Sequence, residues 1–398
     1  MKKLILFIVL FSTINTFSFA QFWKKDVRII PYHENNIFGY VNAEKEAIVT
    51  TKFKHTNLFV NNYGIVKNKE GLYSFFSEDG NRICPFKYDK VKNFSEEMAA
   101  VYYSGYWGYI NTSGDDVIIN KYKVAEEFKN NIAFVKLHSK WGCIDKNGET
   151  LLEFKFQMLK WVSNDIIAFQ KSEKWGLLDI DFNIIRKAAY DEMTEFHEDK
   201  IAVKYNFKWG FLNTKGEEII PCWFEDVKSF SHNSAPVKIK NHWGLTNKNG
   251  DVIVPSIYDR IYPLEGKVAI AYSIDKWIII NSKGRIIKEL NYLMVHPFHD
   301  ERSKVRNEEQ LWGFINYKGI EIIPCEWDDA SHFTYEMAKV KRGDFWGIIN
   351  KSGKLIIDCQ YQEIRIEDSE YIWVKDNGEW GIIDKNNKQY WISTKKKE

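Results

Sequence analysis

The feature that most constrains this chain is a motif that recurs about every 34 residues. A Trp-Gly pair occurs eight times, at Trp107, Trp141, Trp175, Trp209, Trp243, Trp312, Trp346 and Trp380. Three altered copies, Phe38-Gly39, Tyr73-Ser74 and Trp277-Ile278, keep the same register, so that every spacing is 34 or 35 residues. Self-similarity of this period is typical of an array of repeated structural units. It predicts eleven tandem units in place of the two or three domains that 398 residues would otherwise suggest.

A second column of the repeat is aromatic and lies 15 residues after the tryptophan position in the first ten units. Its members are Phe53, Tyr88, Tyr122, Phe156, Tyr190, Phe224, Tyr258, Tyr292, Trp327 and Tyr361. Strict periodicity of this kind is typical of packing, so we expect both aromatic columns to form the core. On this basis Trp209→Ala or Trp243→Ala should cost about 3–5 kcal/mol of folding stability, through lost burial and a cavity.

Residues 201–230, IAVKYNFKWGFLNTKGEEIIPCWFEDVKSF, show what one unit contains. The segments IAVKY, WGFLN and EEIIP predict three strands, because each is rich in apolar and aromatic residues and is bounded by turn signals. Asn213 suits the first position of the turn before the third strand, and Gly216 suits the last position, which requires a positive φ. The segment after Pro221 is expected to pack back on the sheet. Because the strands are apolar on both faces, each unit must be covered on both faces by its neighbours.

These patterns predict an all-β fold, a tandem array of about eleven three-stranded antiparallel meanders of ~34 residues. We expect the meanders to stack into an open, curved superhelix, or solenoid. A closed ring like a β-propeller is the alternative, and it is second because propellers typically have ~4–8 blades. Residues 21–398 then form one domain, with an atypical first unit at about 22–58 and a truncated last unit at about 372–398.

The first twenty residues do not carry the repeat. Lys2 and Lys3 precede the apolar run LILFIVLF, and the small-x-small sequence SFA ends at Ala20. This pattern predicts a Sec-type signal peptide that is cleaved after Ala20, and hence a periplasmic or extracellular protein. The alternative is an uncleaved anchor, but the apolar run is shorter than the roughly 18–20 residues of a membrane span. No later stretch approaches that length, so we expect no transmembrane segment in the mature chain.

The charge balance argues against nucleic acid as a partner. Without Lys2 and Lys3 the basic and acidic residues are equal in number, whereas a nucleic-acid surface needs concentrated positive charge. We expect a monomer. The cysteines form an odd, sparse set without a C-x-x-C pair, which is typical of small hydrophobic fillers and leaves their redox state open. They are Cys84, Cys143, Cys222, Cys325 and Cys359.

Histidines provide the best candidate for a metal site, in the segment HPFHD with His296, His299 and Asp300. A metal site needs three or four convergent ligands. His299 shares its repeat position with His197 of the segment FHED, in a variable loop. Loop polarity explains these residues more simply, so we predict no metal site.

Carboxylates provide the best candidate for catalysis. The pairs Glu96-Glu97 and Glu126-Glu127 could in principle serve glycoside hydrolysis, which uses two carboxylates roughly 5–10 Å apart. They recur at one loop position, which favours solvated turns. The sequence also lacks the G-x-S-x-G, H-E-x-x-H, Walker and G-x-G-x-x-G motifs. We therefore predict no catalytic residue and no cofactor.

Aromatic residues outside the repeat columns are more informative about binding. Trp23, Trp161, Trp223, Trp373 and Trp391 occupy positions where the repeat does not require tryptophan. Exposed tryptophans can bind glycans by stacking or can anchor protein partners. These five are our candidate ligand-binding residues.

The triplets KWG at residues 140–142, 174–176 and 208–210, each followed by a strand and a turn, resemble the WG-repeat (KWG-repeat) family of bacterial proteins. The resemblance covers about residues 22–398, and the altered copies such as Trp277-Ile278 depart from it. It implies an interaction or surface-associated repeat protein and supplies no catalytic residues. We therefore expect a non-enzymatic binding or scaffold protein of the cell envelope with a protein or glycan partner. The alternative is a carbohydrate-active hydrolase that uses loop carboxylates.

Overall fold

The computed structural model describes residues 29–34, 37–42, 47–57, 59–366 and 371–387. These residues form 41 strands in eleven antiparallel sheets. They contain no helix, and so none that is long and apolar enough to cross a membrane. The proposed leader, Trp23 and Trp391 lie outside the described residues.

The sheets follow one another along the chain and are numbered here in that order. Sheet 1 contains β1 (Ile30–Glu34), β2 (Ile37–Val41) and β3 (Ala47–Phe53). Sheet 2 contains β4 (His55–Thr56), β5 (Tyr63–Lys67) and β6 (Tyr73–Ser77). Sheet 3 contains β7 (Lys90–Ser95), β8 (Met98–Tyr103), β9 (Tyr106–Asn111) and β10 (Asp116–Tyr122). Sheet 4 contains β11 (Val124–Ala125), β12 (Ala133–Leu137), β13 (Lys140–Ile144) and β14 (Thr150–Phe156).

The middle of the chain repeats the four-stranded pattern. Sheet 5 contains β15 (Met158–Trp161), β16 (Ile166–Lys171), β17 (Lys174–Asp179) and β18 (Ile184–Tyr190). Sheet 6 contains β19 (Glu192–His197), β20 (Lys200–Tyr205), β21 (Lys208–Asn213) and β22 (Glu218–Phe224). Sheet 7 contains β23 (Asp226–Val227), β24 (Ser234–Ile239), β25 (His242–Asn247) and β26 (Val252–Tyr258). Sheet 8 contains β27 (Arg260–Ile261), β28 (Val268–Ser273), β29 (Lys276–Asn281) and β30 (Ile286–Leu290).

The last three sheets complete the array. Sheet 9 contains β31 (Met294–His299), β32 (Arg302–Arg306), β33 (Trp312–Ile315) and β34 (Glu321–Trp327). Sheet 10 contains β35 (Asp329–Ala330), β36 (Met337–Arg342), β37 (Phe345–Asn350) and β38 (Leu355–Tyr361). Sheet 11 contains β39 (Glu363–Ile366), β40 (Tyr371–Asp376) and β41 (Glu379–Asp384).

Sheets 3 to 10 have four strands, in place of the three predicted. The segment after each meander does not fold back on its own sheet. In sheet 6 the chain leaves β22 at Phe224, and Asp226–Val227 then pairs with β24 as the edge strand of sheet 7. Sequence spacing fixes only a distance along the chain, so it could not show which sheet this segment joins.

The core lies between consecutive sheets. One cluster, for example, joins Phe211 and Phe224 of sheet 6 to Phe230, Ala235 and Val237 of the following unit. Each sheet therefore buries both faces against its two neighbours, as the sequence predicted. Burial of apolar surface of this kind is the main force that holds successive units together.

The array closes on itself, because β1 and β41 contact each other. The all-β tandem array is therefore confirmed, but the sheets form a ring like a β-propeller. The open superhelix, which was our leading arrangement, is wrong in this respect, and the ring that we gave as the alternative is the one that fits. The small rotation from each sheet to the next adds up to a full turn over the array. Local sequence patterns do not predict this total rotation.

The two aromatic columns lie opposite each other on two adjacent, paired strands. Trp209 is paired with Phe224, and two residues further along β21, Phe211 is paired with Ile220. The outer strand β22 therefore contains two extra residues at this point, which form a bulge. The bulge turns the carbonyl oxygen of Ile220 towards Gly210, where a Cβ atom would lie only 2.4 Å from it.

The same bulge is present in every described sheet in which a strand with an intact Trp-Gly pair is joined to a fourth strand. A Cβ atom on the corresponding glycines would lie 2.4 to 2.6 Å from a carbonyl oxygen of the fourth strand. These glycines are Gly108, Gly142, Gly176, Gly244, Gly313 and Gly347. The glycine of the motif is therefore required by the close approach of a backbone.

The turn predicted at the end of the Trp-Gly strand is confirmed. The side-chain oxygen of Asn213 accepts hydrogen bonds from the amides of Lys215 and Glu217, both at 3.0 Å. Gly216 has φ +73°, and a Cβ atom there would lie 2.7 Å from the side chain of Ile185 in the preceding sheet. The turn thus serves two purposes, since it joins two strands and packs one unit on the previous one.

The aromatic columns differ in burial. Phe224 is fully buried, whereas Trp209 and Trp243 are only partly buried. The tryptophan column is buried less uniformly, since Trp141 is buried while Trp209 and Trp243 pack against the core from its edge. The side chain of Lys204 covers the ring of Trp209, with its Nζ atom 5.5 Å from the ring centre.

Candidate functional site

A groove of about 570 Å³ lies beside the first strands of sheets 3, 4 and 5. It is lined by the end of β7, by the segment that follows β11, by β15, and by one residue each from β12 and β13. Its walls therefore come from three consecutive units. A groove of this size, with aromatic and charged walls, can hold a small ligand.

Trp161, one of the five candidate tryptophans, forms an aromatic platform in this groove. Its ring stacks on that of Phe134 from the preceding sheet, with ring centres 5.1 Å apart and planes 24° apart. Phe134 is itself buried, and Trp161 is partly exposed. The indole is thus held in place by the core while part of it remains accessible to a ligand.

Only Trp161 departs from the repeat. The position of Trp161 in sheet 3 is Asn93, a polar residue. The position of Phe134 varies, since it is alanine in sheets 3, 5 and 6 and lysine in sheets 9 and 10. The sequence analysis identified Trp161 but missed Phe134, because a variable position gives no signal when units are compared.

The charged residues of the groove are mostly engaged. The Nζ atom of Lys129 lies 5.0 Å from the ring centre of Trp161 and donates to the carbonyl oxygen of Ser163 at 3.3 Å. The ammonium of Lys92 pairs with the carboxylate of Glu126. Glu127 is exposed, and among the described residues it has no hydrogen-bond or ion-pair partner. An accessible carboxylate therefore lies beside the platform, within a balanced set of charges.

Glu96, at the edge of the groove, has a role that the sequence analysis did not foresee. Its carboxylate accepts hydrogen bonds from the amides of Asn130 and Asn131 in the next unit, both at 2.7 Å, and Lys146 lies 3.8 Å away. Glu96 therefore lies in a turn, as predicted, but its carboxylate also binds the backbone of the next unit. Its partner in the pair, Glu97, is exposed, as expected.

The link made by Glu96 recurs around the ring. A carboxylate at a hairpin between the first and second strands accepts a hydrogen bond from a backbone amide in the next unit, at 2.8 to 3.2 Å. The pairs are Glu198 with Asn233, Glu265 with Glu301, and Asp300 with Glu336. Several of the loop carboxylates are therefore structural links between units.

The other described candidate tryptophans lie away from the groove. Trp223 is 48% exposed on β22, where its ring lies 4.5 Å from that of Phe224. Trp373 is partly buried on β40. The three described tryptophans thus occupy different sheets and do not form one shared surface.

The histidines of sheets 9 and 10 form a cluster. The ring centres of His296 and His332 are 5.0 Å apart, and His299 lies 4.5 Å from His332. Burial lowers the pKa of both His296 and His332 from 6.5 to about 4, and the positive charges of Lys304 and His299 add to the effect on His296. In the described part of the chain, no group of three or more histidine, cysteine, aspartate or glutamate side chains is arranged to hold a metal ion.

The five cysteines are free. Cys84 and Cys143 are buried, and burial raises the pKa of Cys143 to about 12. A thiol with so high a pKa is protonated and unreactive at neutral pH. These two residues act as small hydrophobic fillers, as predicted.

A family model described as "WG containing repeat" matches the chain in eight segments, which together cover more than half of it. They are residues 73–107, 107–141, 141–175, 175–209, 209–242, 243–277, 312–344 and 346–380. The matches stop at residue 277 and resume at residue 312, so that one unit within the array is not recognised. No curated protein sequence matches the chain.

Several solved structures are distantly similar in shape. One is a eukaryotic initiation factor, with 8% identity, a TM-score of 0.39, and coverage of 74% of this chain and 94% of that one. Another is BamB from Moraxella catarrhalis, with 12% identity, a TM-score of 0.31, and coverage of 72% and 90%. A third is Hsv2p from Kluyveromyces lactis, with 9% identity, a TM-score of 0.31, and coverage of 55% and 89%. These similarities are too distant to support a conclusion about fold or function.

Proposed function

The chain belongs to the WG-repeat family, and from this premise we propose that it is an exported, non-enzymatic binding or scaffold protein. Its ligand site is the groove beside sheets 3 to 5. The observation that carries the proposal is the stacked pair of Trp161 and Phe134, with ring centres 5.1 Å apart. Trp161 breaks the repeat and stays partly exposed, while Phe134 belongs to the core between sheets 4 and 5 and holds the indole in place.

A glycan is the ligand that the groove favours. The apolar face of a sugar ring stacks on an exposed indole, and sugar hydroxyls donate hydrogen bonds to carboxylates such as that of Glu127. A protein partner could anchor an aromatic or aliphatic side chain on the same platform. The glycan is preferred because the charges of the groove are balanced, which gives little attraction for a strongly charged peptide.

The proposal is tested by calorimetric titration of the purified protein with oligosaccharides of β-1,4-linked and α-1,4-linked hexoses. We expect one class to bind, and Trp161→Ala to weaken that binding about tenfold or more. Trp223→Ala is the matched control, since Trp223 is also exposed and off the repeat but lies outside the groove. Equal binding by the Trp161→Ala variant and the unchanged protein would assign the ligand to another surface.

A second candidate function is hydrolysis of a glycan. It is supported by the approach of Glu96, Glu126 and Glu127 to one groove from two consecutive units. The engagement of Glu96 with two amides and of Glu126 with Lys92 counts against it, since both carboxylates already have structural partners. Release of reducing sugar by the protein, and its loss in Glu127→Gln, would favour hydrolysis over binding.

Export is supported by the leader-like pattern that ends at Ala20. Cleavage after Ala20 would place the mature protein in the periplasm or outside the cell. Mass spectrometry of the protein from a secreting bacterial host should give an N-terminus at Gln21. An N-terminus at Met1 in the fractionated, native protein would contradict export by this route.

A further inference from the structure

The outer strand of sheet 8 differs from the outer strands of the other sheets. Trp277 is paired with Leu290, and Ile278 and Ile279 are paired in direct succession with Glu289 and Lys288. The bulge that follows the tryptophan in the other units is therefore missing here. As a result, Lys288–Leu290 pair with β29 in direct succession, and the one register shift that β30 keeps lies between Lys288 and Ile286.

The cause is the loss of the motif glycine. Ile278 takes the place of glycine, and its branched apolar side chain fills the space into which a bulge would place a carbonyl oxygen. The outer strand therefore slips by two residues, so that Leu290 and not Tyr292 faces the tryptophan. Leu290 is buried in consequence, whereas Tyr292 is only partly buried. This change lies in residues 278–311, the gap between two segments that the family model matches.

The outer strand β30 is also the most exposed of the outer strands. Four consecutive residues, 286 to 289, are exposed, whereas the outer strands of the adjacent sheets have a buried residue in the middle. Ile286 is 58% exposed and Ile287 is 44% exposed, so two adjacent isoleucines are accessible to solvent. No further strand pairs with β30 within the described residues.

Natural proteins protect outer strands from pairing with other chains by means of bulges and prolines. Sheets 6, 7 and 9 have both devices, since Pro221, Pro255 and Pro324 lie on their outer strands. The outer strand β30, with the sequence IIKEL, has no proline and lacks the bulge after the tryptophan, and it keeps only the register shift between Lys288 and Ile286. An outer strand with fewer of these devices and with exposed isoleucines is more open to strand addition than its neighbours.

We propose that β30 binds an extended acidic segment of a partner protein, which adds to sheet 8 as a fifth strand. Main-chain hydrogen bonds would supply affinity, and Ile286 and Ile287 would contact alternate apolar side chains of the segment. The acidic character follows from the local charges. Lys283, Arg285 and Lys288 are exposed at this edge, and the single carboxylate, that of Glu289, is paired with Lys276 at 2.8 Å.

The probe for this surface is a capped peptide of about nine residues that alternates valine and glutamate, the length of a long strand. Fluorescence anisotropy of the labelled peptide should show binding to the full chain, and hydrogen exchange should slow in Ile286–Leu290. A peptide that alternates valine and lysine should bind at least about tenfold more weakly. No binding of the acidic peptide, equal binding of both peptides, or protection only outside sheet 8 would overturn the proposal.

Substitutions on β30 test whether the acidic peptide binds at this strand. The double variant Ile286→Asp and Ile287→Asp should lose binding of the acidic peptide by about tenfold or more, through repulsion and lost apolar contact. Ile257→Asp is the matched control, because Ile257 is 59% exposed on the bulged outer strand of sheet 7. Equal effects of the two changes would contradict strand addition at β30.

Two further variants keep the test interpretable if the double variant folds poorly or if the groove does not bind a ligand. Lys288→Glu changes one exposed charge and should reduce the preference for the acidic peptide even if the double variant folds poorly. Unchanged preference in Lys288→Glu would count against the charge argument. Trp161→Ala, which lies in the groove, should bind the peptide normally, so that failure of the groove and failure of this edge are distinguishable.

Discussion

Trp209 lies directly opposite Phe224 in the antiparallel pairing of β21 and β22, and the bulge between this pair and the next brings the Ile220 carbonyl oxygen against Gly210. The conspicuous Trp-Gly pair is thus one half of an interaction whose other half lies 15 residues later. The periodic aromatic and the glycine are required by the same bulge. A recognition role for the motif itself is therefore not needed to explain its repetition.

The first prediction concerns the glycine. Gly210→Ala should destabilise the fold by about 1–3 kcal/mol, because the new Cβ atom would meet the Ile220 carbonyl oxygen at 2.4 Å and the backbone must shift. Urea unfolding followed by tryptophan fluorescence measures the loss. Gly105→Ala is the control, since a Cβ atom there meets nothing within 4 Å and only its φ of +87° opposes the change. An equal loss in both variants would refute the role of the bulge.

The second prediction separates the two aromatic columns. Phe224→Ala should cost about 3–5 kcal/mol, because Phe224 is fully buried and its removal leaves a cavity. Trp209→Ala should cost less than Phe224→Ala, since the indole is partly exposed. This replaces our initial expectation for Trp209. Thermal unfolding of the two variants measures which one loses more stability. A larger loss of stability for Trp209→Ala than for Phe224→Ala would contradict the prediction.

The third prediction tests the links between units. Glu96→Gln weakens two charge-assisted hydrogen bonds to the amides of Asn130 and Asn131 and should cost about 1–2 kcal/mol. Glu97→Gln, at the adjacent exposed position, should be close to neutral. Urea unfolding of both variants is the measurement. A neutral Glu96→Gln would show that the carboxylate does not hold the units together.

The fourth prediction concerns pH. His296 and His332 have pKa values lowered to about 4 in the folded chain, below their ordinary value of 6.5, chiefly because burial disfavours the charged form. The unfolded chain therefore binds more protons in this interval. Stability should be fully present above about pH 6.5 and should fall as the pH is lowered towards 4.

Replacing one histidine isolates this effect. The difference in unfolding free energy between pH 7 and pH 5 should be smaller in His332→Phe than in the unchanged protein. His242→Phe is the control, since His242 is exposed at a hairpin. A pH dependence that His332→Phe leaves unaltered would assign the acid sensitivity to other groups.

The sequence predicted only part of the candidate site. Trp161 was identified because tryptophan breaks the repeat at that position. Its partner Phe134 was missed because the residue type at that position varies among units, and only the packing of sheet 5 on sheet 4 brings Phe134 against Trp161. Glu96 was interpreted as a solvated residue because its partner amides, at Asn130 and Asn131, lie in another unit. The contact depends on how two units are placed in space.

The sequence by itself determined what one unit requires, since those requirements are local. The spacing of tryptophan, aromatic residue, asparagine and glycine specifies strands and a turn within about 34 residues. Only the tertiary structure decided which sheet each connecting segment joins, that β1 meets β41 and closes the ring, and that the outer strand of sheet 8 lacks the bulge after the tryptophan. These properties depend on the sum of many small rotations and on contacts between units. A local pattern that repeats along the chain predicts neither of them.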